Sequence, residues 1–274
     1  MRLSSRLLRR IIIASIFFIV FLFTGLGLKK AVTPTPSCTD KIMNGNEEGI
    51  DCGLYACGNY CEPNLDPPKV ISIKLIKAGK GDYDFVADIE NPHPKFGASE
   101  VAYKLTLFRS DNSELYSQER VFYILPGQTK HLVITHLTTE NDVQKIDFKI
   151  ESANWQQLNS LEGMNLIVKD KNYHNLSDNS GTALDAVILN DSDFDLGIVD
   201  IDVILYDSAG EIIAVSRSDI RTFLARTQRS FKVIWPFKIS KSVSKIDIFA
   251  STNLFDNSNY IKAYGSMVQK FQQY

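Results

Sequence analysis

Residues 100–114 read EVAYKLTLFRSDNSE and residues 198–211 read IVDIDVILYDSAGE, and this matched pair decides the fold class. Within each stretch, apolar side chains recur at every second position before a polar turn. The aligned positions are Val101 with Val199, Tyr103 with Ile201, Leu105 with Val203 and Leu107 with Leu205. Side chains two residues apart lie on the same face of a β-strand. Each stretch therefore predicts a strand with one buried face, followed by a hairpin turn.

Two further pairs of segments match at nearly the same separation along the chain. VQKIDFKI (143–150) corresponds to VSKIDIFA (243–250) at an offset of 100 residues, and HLVITH (131–136) corresponds to SFKVIW (230–235) at an offset of 99. A register kept over roughly sixty residues indicates an internal duplication. In this alignment His136 matches Trp235, which predicts a packing role for His136.

The other segments of the duplicated region are also short and alternate in hydrophobicity. They include VISIKLIK, YDFVADIE and RVFYIL, at residues 70–77, 83–90 and 120–125. Short strands separated by turns are typical of Ig-like sandwiches. We therefore predict a mainly β fold with two tandem Ig-like β-sandwiches, residues 69–157 and 164–255. Residues 256–274 are then a C-terminal tail or a final strand.

One part of the second repeat resembles a known family. Asn190, the run VILYD at 203–207 and Gly210 are similar to the bacterial FxLYD-type domain, an Ig-like β-sandwich of exported and surface proteins. The likeness covers roughly residues 70–255. Val203 stands where the motif has Phe, and the first repeat reads LTLFR at residues 105–109. The resemblance implies a fold and no specific activity.

An apolar segment precedes the duplicated region. Residues 11–28 read IIIASIFFIVFLFTGLGL without a charge, and at about 1.5 Å per residue they cover the hydrocarbon core of a bilayer. A cleaved signal peptide has a shorter apolar core, followed by a small-x-small cleavage site. A lipoprotein anchor needs a cysteine directly after the apolar run, whereas Cys38 lies ten residues beyond Leu28. An uncleaved transmembrane helix that contacts membrane lipid is therefore favoured.

The flanking charges predict the orientation of this helix. Arg2, Arg6, Arg9 and Arg10 precede it, and only Lys29 and Lys30 follow it directly. Positive charge stays on the cytoplasmic side, so residues 1–10 are a cytoplasmic tail and the remainder is extracellular or periplasmic. Residues 1–30 contain six of the 30 basic residues and none of the 32 acidic ones, which leaves the remainder with 24 basic and 32 acidic side chains, a net charge of −8. Such an acidic body excludes nucleic acid as a partner.

Four cysteines follow a Thr/Pro spacer at residues 29–37. Cys38, Cys52, Cys57 and Cys61 have the spacing C-x13-C-x4-C-x3-C. Zinc sites prefer closer pairs and a reducing compartment, whereas an even cysteine number outside a membrane indicates disulfides. We predict a disulfide-bonded module over residues 38–61, in which three pairings are open.

Within this module, DKIMNGNEEGID (40–51) is a candidate calcium loop. Asp40, Asn44, Glu48 and Asp51 place oxygen ligands at positions 1, 5, 9 and 12 of the loop. This spacing resembles an EF-hand loop, but Ile42 occupies position 3 and flanking helices are not predicted. The alternative is a solvated acidic turn held by disulfides. No other cofactor is predicted.

Catalytic motifs are absent from the sequence, which contains no G-x-S-x-G, H-E-x-x-H or phosphate-loop pattern. We therefore expect no enzyme activity and no catalytic residues. The leading hypothesis is a membrane-anchored surface or envelope protein whose Ig-like domains act in adhesion, recognition or assembly with a protein partner or surface ligand. The alternatives are a structural subunit of a secretion or pilus-like envelope complex and, with less support, an exported hydrolase.

Overall fold

The computed structural model describes residues 13–24, 37–59, 61, 65–79, 81–158, 160–239 and 241–265. The chain divides into two compact units, Met1–Asn64 and Leu65–Tyr274. The boundary falls between the predicted cysteine module, residues 38–61, and the predicted first sandwich, which begins at residue 69.

The first unit contains helix α1, residues 13–24, and the short helix α2, Leu54–Cys57. None of the helices in the described residues has the length and apolar character needed to span a membrane. The predicted transmembrane segment 11–28 includes positions 11–12 and 25–28, which lie outside the described residues. The predicted anchor therefore stays a prediction.

The first half of the second unit is a β-sandwich. Its described strands are β1 (Lys69–Lys77), β2 (Asp82–Glu90), β3 (Phe96–Phe108), β4 (Glu114–Ile124), β5 (Thr129–Thr138) and β6 (Lys145–Gln157). They form two antiparallel sheets in the orders β1-β2-β5 and β4-β3-β6. Phe85 on β2 and Leu105 on β3 are fully buried in a core that both sheets share.

The second half repeats this arrangement. Its strands are β7 (Leu166–Asn175), β8 (Thr182–Asn190), β9 (Leu196–Tyr206), β10 (Ile212–Phe223), β11 (Gln228–Trp235) and β12 (Lys245–Ser251). Their sheets have the orders β7-β8-β11 and β10-β9-β12, so each strand has a counterpart six strands earlier. In immunoglobulin nomenclature both halves correspond to strands A-B-E facing C′-C-F. The predicted mainly β sandwich fold is confirmed.

Equivalent asparagines close both sandwiches at the same corner. Asn91 and Asn190 are buried and 99 positions apart. The Asn91 amide nitrogen donates to the carbonyls of Phe96 and Leu125, at 2.7 and 2.8 Å. The Asn190 amide nitrogen likewise donates to the carbonyl of Phe194 at 2.9 Å. It also lies within hydrogen-bond distance of the carbonyls of Phe223 and Leu224, at the end of β10. The Asn of the FxLYD-like pattern thus satisfies loop carbonyls that would otherwise be buried without donors.

The aligned strands bury the same face. Leu107 and Leu205 are both fully buried, in the first and the second core respectively. Leu107 pairs with Ile146, and Leu205 pairs with Ile246, so the sequence offsets of 98 and 100 are kept in the strand register. The alternation predicted for both strands is confirmed.

The packing role predicted for His136 is wrong. Tyr83 lies opposite Leu137 and Phe85 lies opposite Ile134, so Thr135 and His136 together oppose Asp84 alone. This β-bulge reverses the facing of the side chains that follow it. His136 is exposed with a φ of 62°, and Leu137 is buried in its place.

The two sandwiches stack through their outer faces. Val86 on β2 and Val133 on β5 form one buried cluster with Ile204 on β9 and Val215 on β10. Sheet β1-β2-β5 therefore packs on its inner face against β4-β3-β6 and on its outer face against β10-β9-β12. Within its described residues, the second unit is a stack of four sheets.

The C-terminal part of the described chain is helical. Residues Ser258–Tyr264 form helix α3, where the sequence analysis expects a tail or a final strand. Tyr260 and Ile261 pack with Leu158 and Leu254, and the Tyr260 hydroxyl donates to the Ser160 carbonyl at 3.1 Å. Helix α3 thus fastens the connection between the sandwiches. Positions 266–274 lie outside the described residues.

Candidate functional site

A groove of about 550 Å³ opens where strands β4 and β5 of the first sandwich face strands β9 and β10 of the second. Leu132, Leu137 and Phe122 line it from the core of the first sandwich. Tyr103 also lines the groove, and burial raises the pKa of its hydroxyl to about 12. Most other lining groups are polar or charged, so the groove suits a ligand with both apolar and polar parts.

Lys130 is the most buried cation in the lining. Its side chain is on β5 with 6% exposure, and its ammonium lies 3.8 Å from the ring centroid of Tyr123. This is cation–π geometry. Burial lowers the pKa of Lys130, and the charges of Asp202 and Asp200 oppose this effect.

Tyr123 joins the two sandwiches at one end of the groove. Its neighbour Phe122 points into the first core, so Tyr123 points outward. The Tyr123 hydroxyl lies 2.9 Å from the Ser251 hydroxyl on β12. Burial raises the pKa of Tyr123, and the nearby Asp200 raises it further. The outward aromatic of this pair is therefore an inter-sandwich contact.

Two aspartates and an arginine supply the charges of the second sandwich. Asp202 on β9 is buried, and loss of hydration raises its pKa to about 6, although Lys130 and Arg217 draw it down. Arg217 donates to an Asp200 oxygen at 3.3 Å and to the Val133 carbonyl at 3.5 Å. Arg217 thus connects β10 with β9 and with the first sandwich.

A histidine lies beside the groove on the inter-sandwich contact. His131 Nδ1 is 2.6 Å from an Asp88 oxygen, and the other Asp88 oxygen accepts from the Ser72 hydroxyl at 2.7 Å. The hydrogen bond with His131 is the main reason that the pKa of Asp88 is lowered. The His131 ring stacks on Phe249 with centroids 3.9 Å apart, so this pair also fastens the stack.

The cysteine module of the first unit is held by two disulfides. Cys38 pairs with Cys57, with Cα atoms 5.6 Å apart, and Cys52 pairs with Cys61 at 5.0 Å. The predicted disulfide bonding is confirmed, and of the three open pairings the structure contains the interlaced one. A Cβ atom at Gly49 would lie 2.8 Å from the sulfurs of both Cys52 and Cys61, so the crossing needs a glycine there.

Hydrogen bonds join three of the four candidate calcium ligands. The Asp51 carboxylate accepts the Asp40 and Lys41 amides at 3.0 and 2.8 Å. Asp40 accepts the Asn44 side-chain amide at 2.7 Å. Glu48 is exposed, and the carboxylates of Asp40, Glu48 and Asp51 do not all lie within 4.8 Å of one another. These hydrogen bonds stabilise the loop as a carboxylate-capped turn, and calcium binding stays a prediction.

Another group in the module has metal-like spacing. Sulfur atoms of Cys38 and Cys57 and an oxygen of the buried Glu47 all lie within 4.8 Å of one another. Metals bind cysteine as the thiolate, and both sulfurs here belong to one disulfide. Glu47 instead accepts the Asn44 backbone amide at 3.0 Å. In the oxidised module this group holds a turn.

The alternation within single strands does not predict the groove, although the sequence contains a signal for it. Phe85-Val86-Ala87, Leu132-Val133-Ile134 and Val203-Ile204-Leu205 are each three consecutive apolar residues. A strand with one solvated face alternates, so such runs indicate burial on both faces. The middle residue of each run belongs to the inter-sandwich cluster. The charged neighbours on those outer faces, Asp202 among them, are thereby placed in the interface.

Comparison with known proteins adds little to these observations. No protein-family model and no curated protein matches the chain, so the FxLYD resemblance stays a prediction. One solved structure similar to the chain is the calcium binding domain CBD12 of CALX1.1, with 10% identity and a TM-score of 0.20 over 66% of this chain and 81% of that one. That score is too low to assign a fold or an activity.

Proposed function

We propose that this protein is a membrane-anchored, non-catalytic protein of the cell surface or envelope, which holds a rigid β-stack outside the membrane for recognition of a ligand or partner. The observation that carries the proposal is the pair of disulfides in residues 38–61. Structural disulfides persist in oxidising compartments and are rare in a cytosol. The apolar segment 11–28, with arginines on its N-terminal side, supplies a route to that compartment.

The stacked sandwiches support recognition in preference to flexible tethering. Their contact is apolar, with Val133, Ile204 and Val215 almost completely buried, and Arg217 and Tyr123 add hydrogen bonds across it. A large apolar contact between domains restrains their relative motion. A groove built from both sandwiches therefore keeps its shape, as a binding site requires. The resemblance to FxLYD-type domains of exported proteins agrees with this role.

A structural subunit of an envelope complex is the second candidate, and one observation favours it. Strand β1 lies at a sheet edge, and its residues Val70, Ile71 and Ile73 are 39%, 59% and 39% exposed. Apolar residues on an edge strand favour lateral contact with another protein. Membranes solubilised in mild detergent distinguish the two functions. If the protein acts in recognition, we expect the chain to be purified from these membranes without stoichiometric partners. If it is a subunit of a complex, we expect stoichiometric partners to be purified with it and to be lost in the Ile71→Lys variant.

The proposal is tested by fractionation of cells that express the full chain. We expect the protein in the membrane fraction after an alkaline wash, with no free thiol detectable by alkylation before reduction. A chain that is released by the wash, or that contains four free thiols, would contradict the proposal.

A further inference from the structure

Two hydrogen-bond donors in the groove are buried without partners. The Lys130 ammonium and the Gln118 side-chain nitrogen each lack a hydrogen-bond acceptor among the described residues, and both residues line the groove. The Gln118 oxygen is already engaged, since it accepts from the Tyr116 hydroxyl at 3.1 Å. With the amide in this orientation, its nitrogen is the atom left to donate.

The neighbours of Lys130 do not use its hydrogen-bonding capacity. The Tyr123 ring interacts with its charge, and Asp202 and Asp200 attract it without accepting a hydrogen bond. An ammonium has three donor hydrogens, and a buried donor that is left unsatisfied destabilises the folded protein. Each of the two donors is therefore open to an acceptor on a bound molecule.

The charges of the groove indicate the sign of that acceptor. Lys130, Arg120 and Arg217 contribute three positive charges, and Asp200 and Asp202 contribute two negative ones. The excess of one positive charge matches a monoanion. A carboxylate is such a monoanion, and it is a strong acceptor for an ammonium.

The other residues that line the groove indicate the size and polarity of the rest of the ligand. Phe122 and Tyr116 give the groove aromatic walls, and a volume of about 550 Å³ lies in the range of small-molecule sites. We propose that the groove binds a small organic carboxylate, which accepts from Lys130 while Gln118 donates to a polar group of the same molecule and the carbon skeleton of the ligand contacts the aromatic walls. An acidic sugar and an acidic residue of a peptide both supply this chemistry.

The inference deepens the proposed recognition function and rests on it for its biological meaning. Its test is separate, because binding is measured on purified protein irrespective of where the chain resides. Failure of export with intact binding would overturn the proposed function alone. Failure of binding with intact export would overturn this inference alone.

The experiment is calorimetric titration of the full chain in detergent with two matched pairs of probes. Glucuronate is compared with glucose, and the peptide Ala-Glu-Ala with Ala-Gln-Ala. We expect saturable binding of at least one acid and none of its neutral counterpart. Saturation by the sugar acid or by the acidic peptide identifies the source of the carboxylate. Absence of binding by both acids, or equal binding of the neutral probes, would overturn the inference.

Variants then assign the binding to the two donors. Lys130→Met and Gln118→Leu should each weaken binding of the acid about tenfold or more, as expected for loss of a charge-assisted or buried hydrogen bond. The control is Lys232→Met, because Lys232 is half-exposed and pairs with Asp185 away from the groove. Gln118→Leu keeps every charge, so it tests the site even if Lys130→Met does not fold. Unchanged affinity in a folded Gln118→Leu protein would contradict the assignment.

Discussion

Leu137 occupies in the first sandwich the position that Trp235 occupies in the second. Leu137 lies opposite Tyr83, and Trp235 lies opposite Thr182, 99 positions further along the chain. Both side chains are 1% exposed. The bulge that contains His136 adds one residue to β5, so the equivalence follows the strand pairing and not the ungapped sequence.

This equivalence predicts opposite responses for two adjacent residues. Leu137→Ala removes a fully buried side chain and should lower the free energy of unfolding by about 2–5 kcal/mol. His136→Asn should change it by less than about 0.5 kcal/mol, because the side chain is exposed and Asn tolerates the positive φ. Urea denaturation followed by circular dichroism measures both. A larger loss in His136→Asn than in Leu137→Ala would contradict the assignment.

The stacked sheets predict cooperative melting of the two sandwiches. The full chain should show one calorimetric transition for the second unit, because the Val133 cluster couples both halves. Val133→Asp places a charge in that cluster and should split the transition in two or lower its midpoint by several degrees. The control is Val121→Asp, since Val121 is 59% exposed. Two transitions in the unmodified chain would show that the sandwiches are independent.

Asp202 predicts a dependence of stability on pH. Its folded-state pKa of about 6 lies above the value of the unfolded chain, so the folded protein binds more protons in the interval between them. The contribution of Asp202 to stability is therefore complete below about pH 4 and is lost as the pH rises through 6. The charged or titratable groups around it are Lys130, Arg217, Asp200 and His131.

The measurement compares the unmodified chain with Asp202→Asn between pH 4 and 7. The Asn variant should gain about 2–3 kcal/mol relative to the unmodified chain over this interval. The difference between the two proteins removes the contribution of other carboxylates, such as Asp88. A constant difference across the interval would show that Asp202 ionises normally.

The glycine beneath the disulfide crossing gives a further prediction. Gly49→Ala places a methyl group 2.8 Å from two sulfurs, so the exported protein should contain free thiols or a rearranged pairing. Gly197→Ala is the control, because a Cβ atom there has no neighbour within 4 Å. Mass spectrometry after alkylation without reduction distinguishes the outcomes. Full native pairing in Gly49→Ala would show that the module can yield at this point.

Local patterns predict the strands of this protein well. The alternation around Leu107 and Leu205 predicts which face is buried, because the two-residue period of a strand is fixed by backbone geometry. The offset between the repeats predicts that both halves share one strand order. The disulfides follow from the even number of cysteines in a short polar segment, although their pairing depends on how that segment folds.

The stacking of the sandwiches and the groove between them depend on contacts between the repeats, so the pattern of one strand does not predict them. Val133 and Ile204 interrupt the alternation of their strands, and the contact between the two outer faces explains why apolar residues are placed there. From the sequence, Lys130 is expected to be a solvated charge, because none of its neighbours in sequence predicts its burial beside Tyr123. The His136 bulge, likewise, follows from pairing with Asp84, and its trace in the sequence is the step of three residues from Ile134 to Leu137.

We propose that residues 11–28 anchor the chain, with the disulfide module and the β-stack outside the membrane. Protease treatment of intact cells, or of spheroplasts where an outer membrane is present, tests this topology when a tag is placed on each end of the chain. We expect loss of the C-terminal tag and survival of a membrane-bound fragment with the N-terminal tag. A C-terminal tag that survives on the full-length chain, while the same protease digests a known external protein, would show that the proposed topology is wrong.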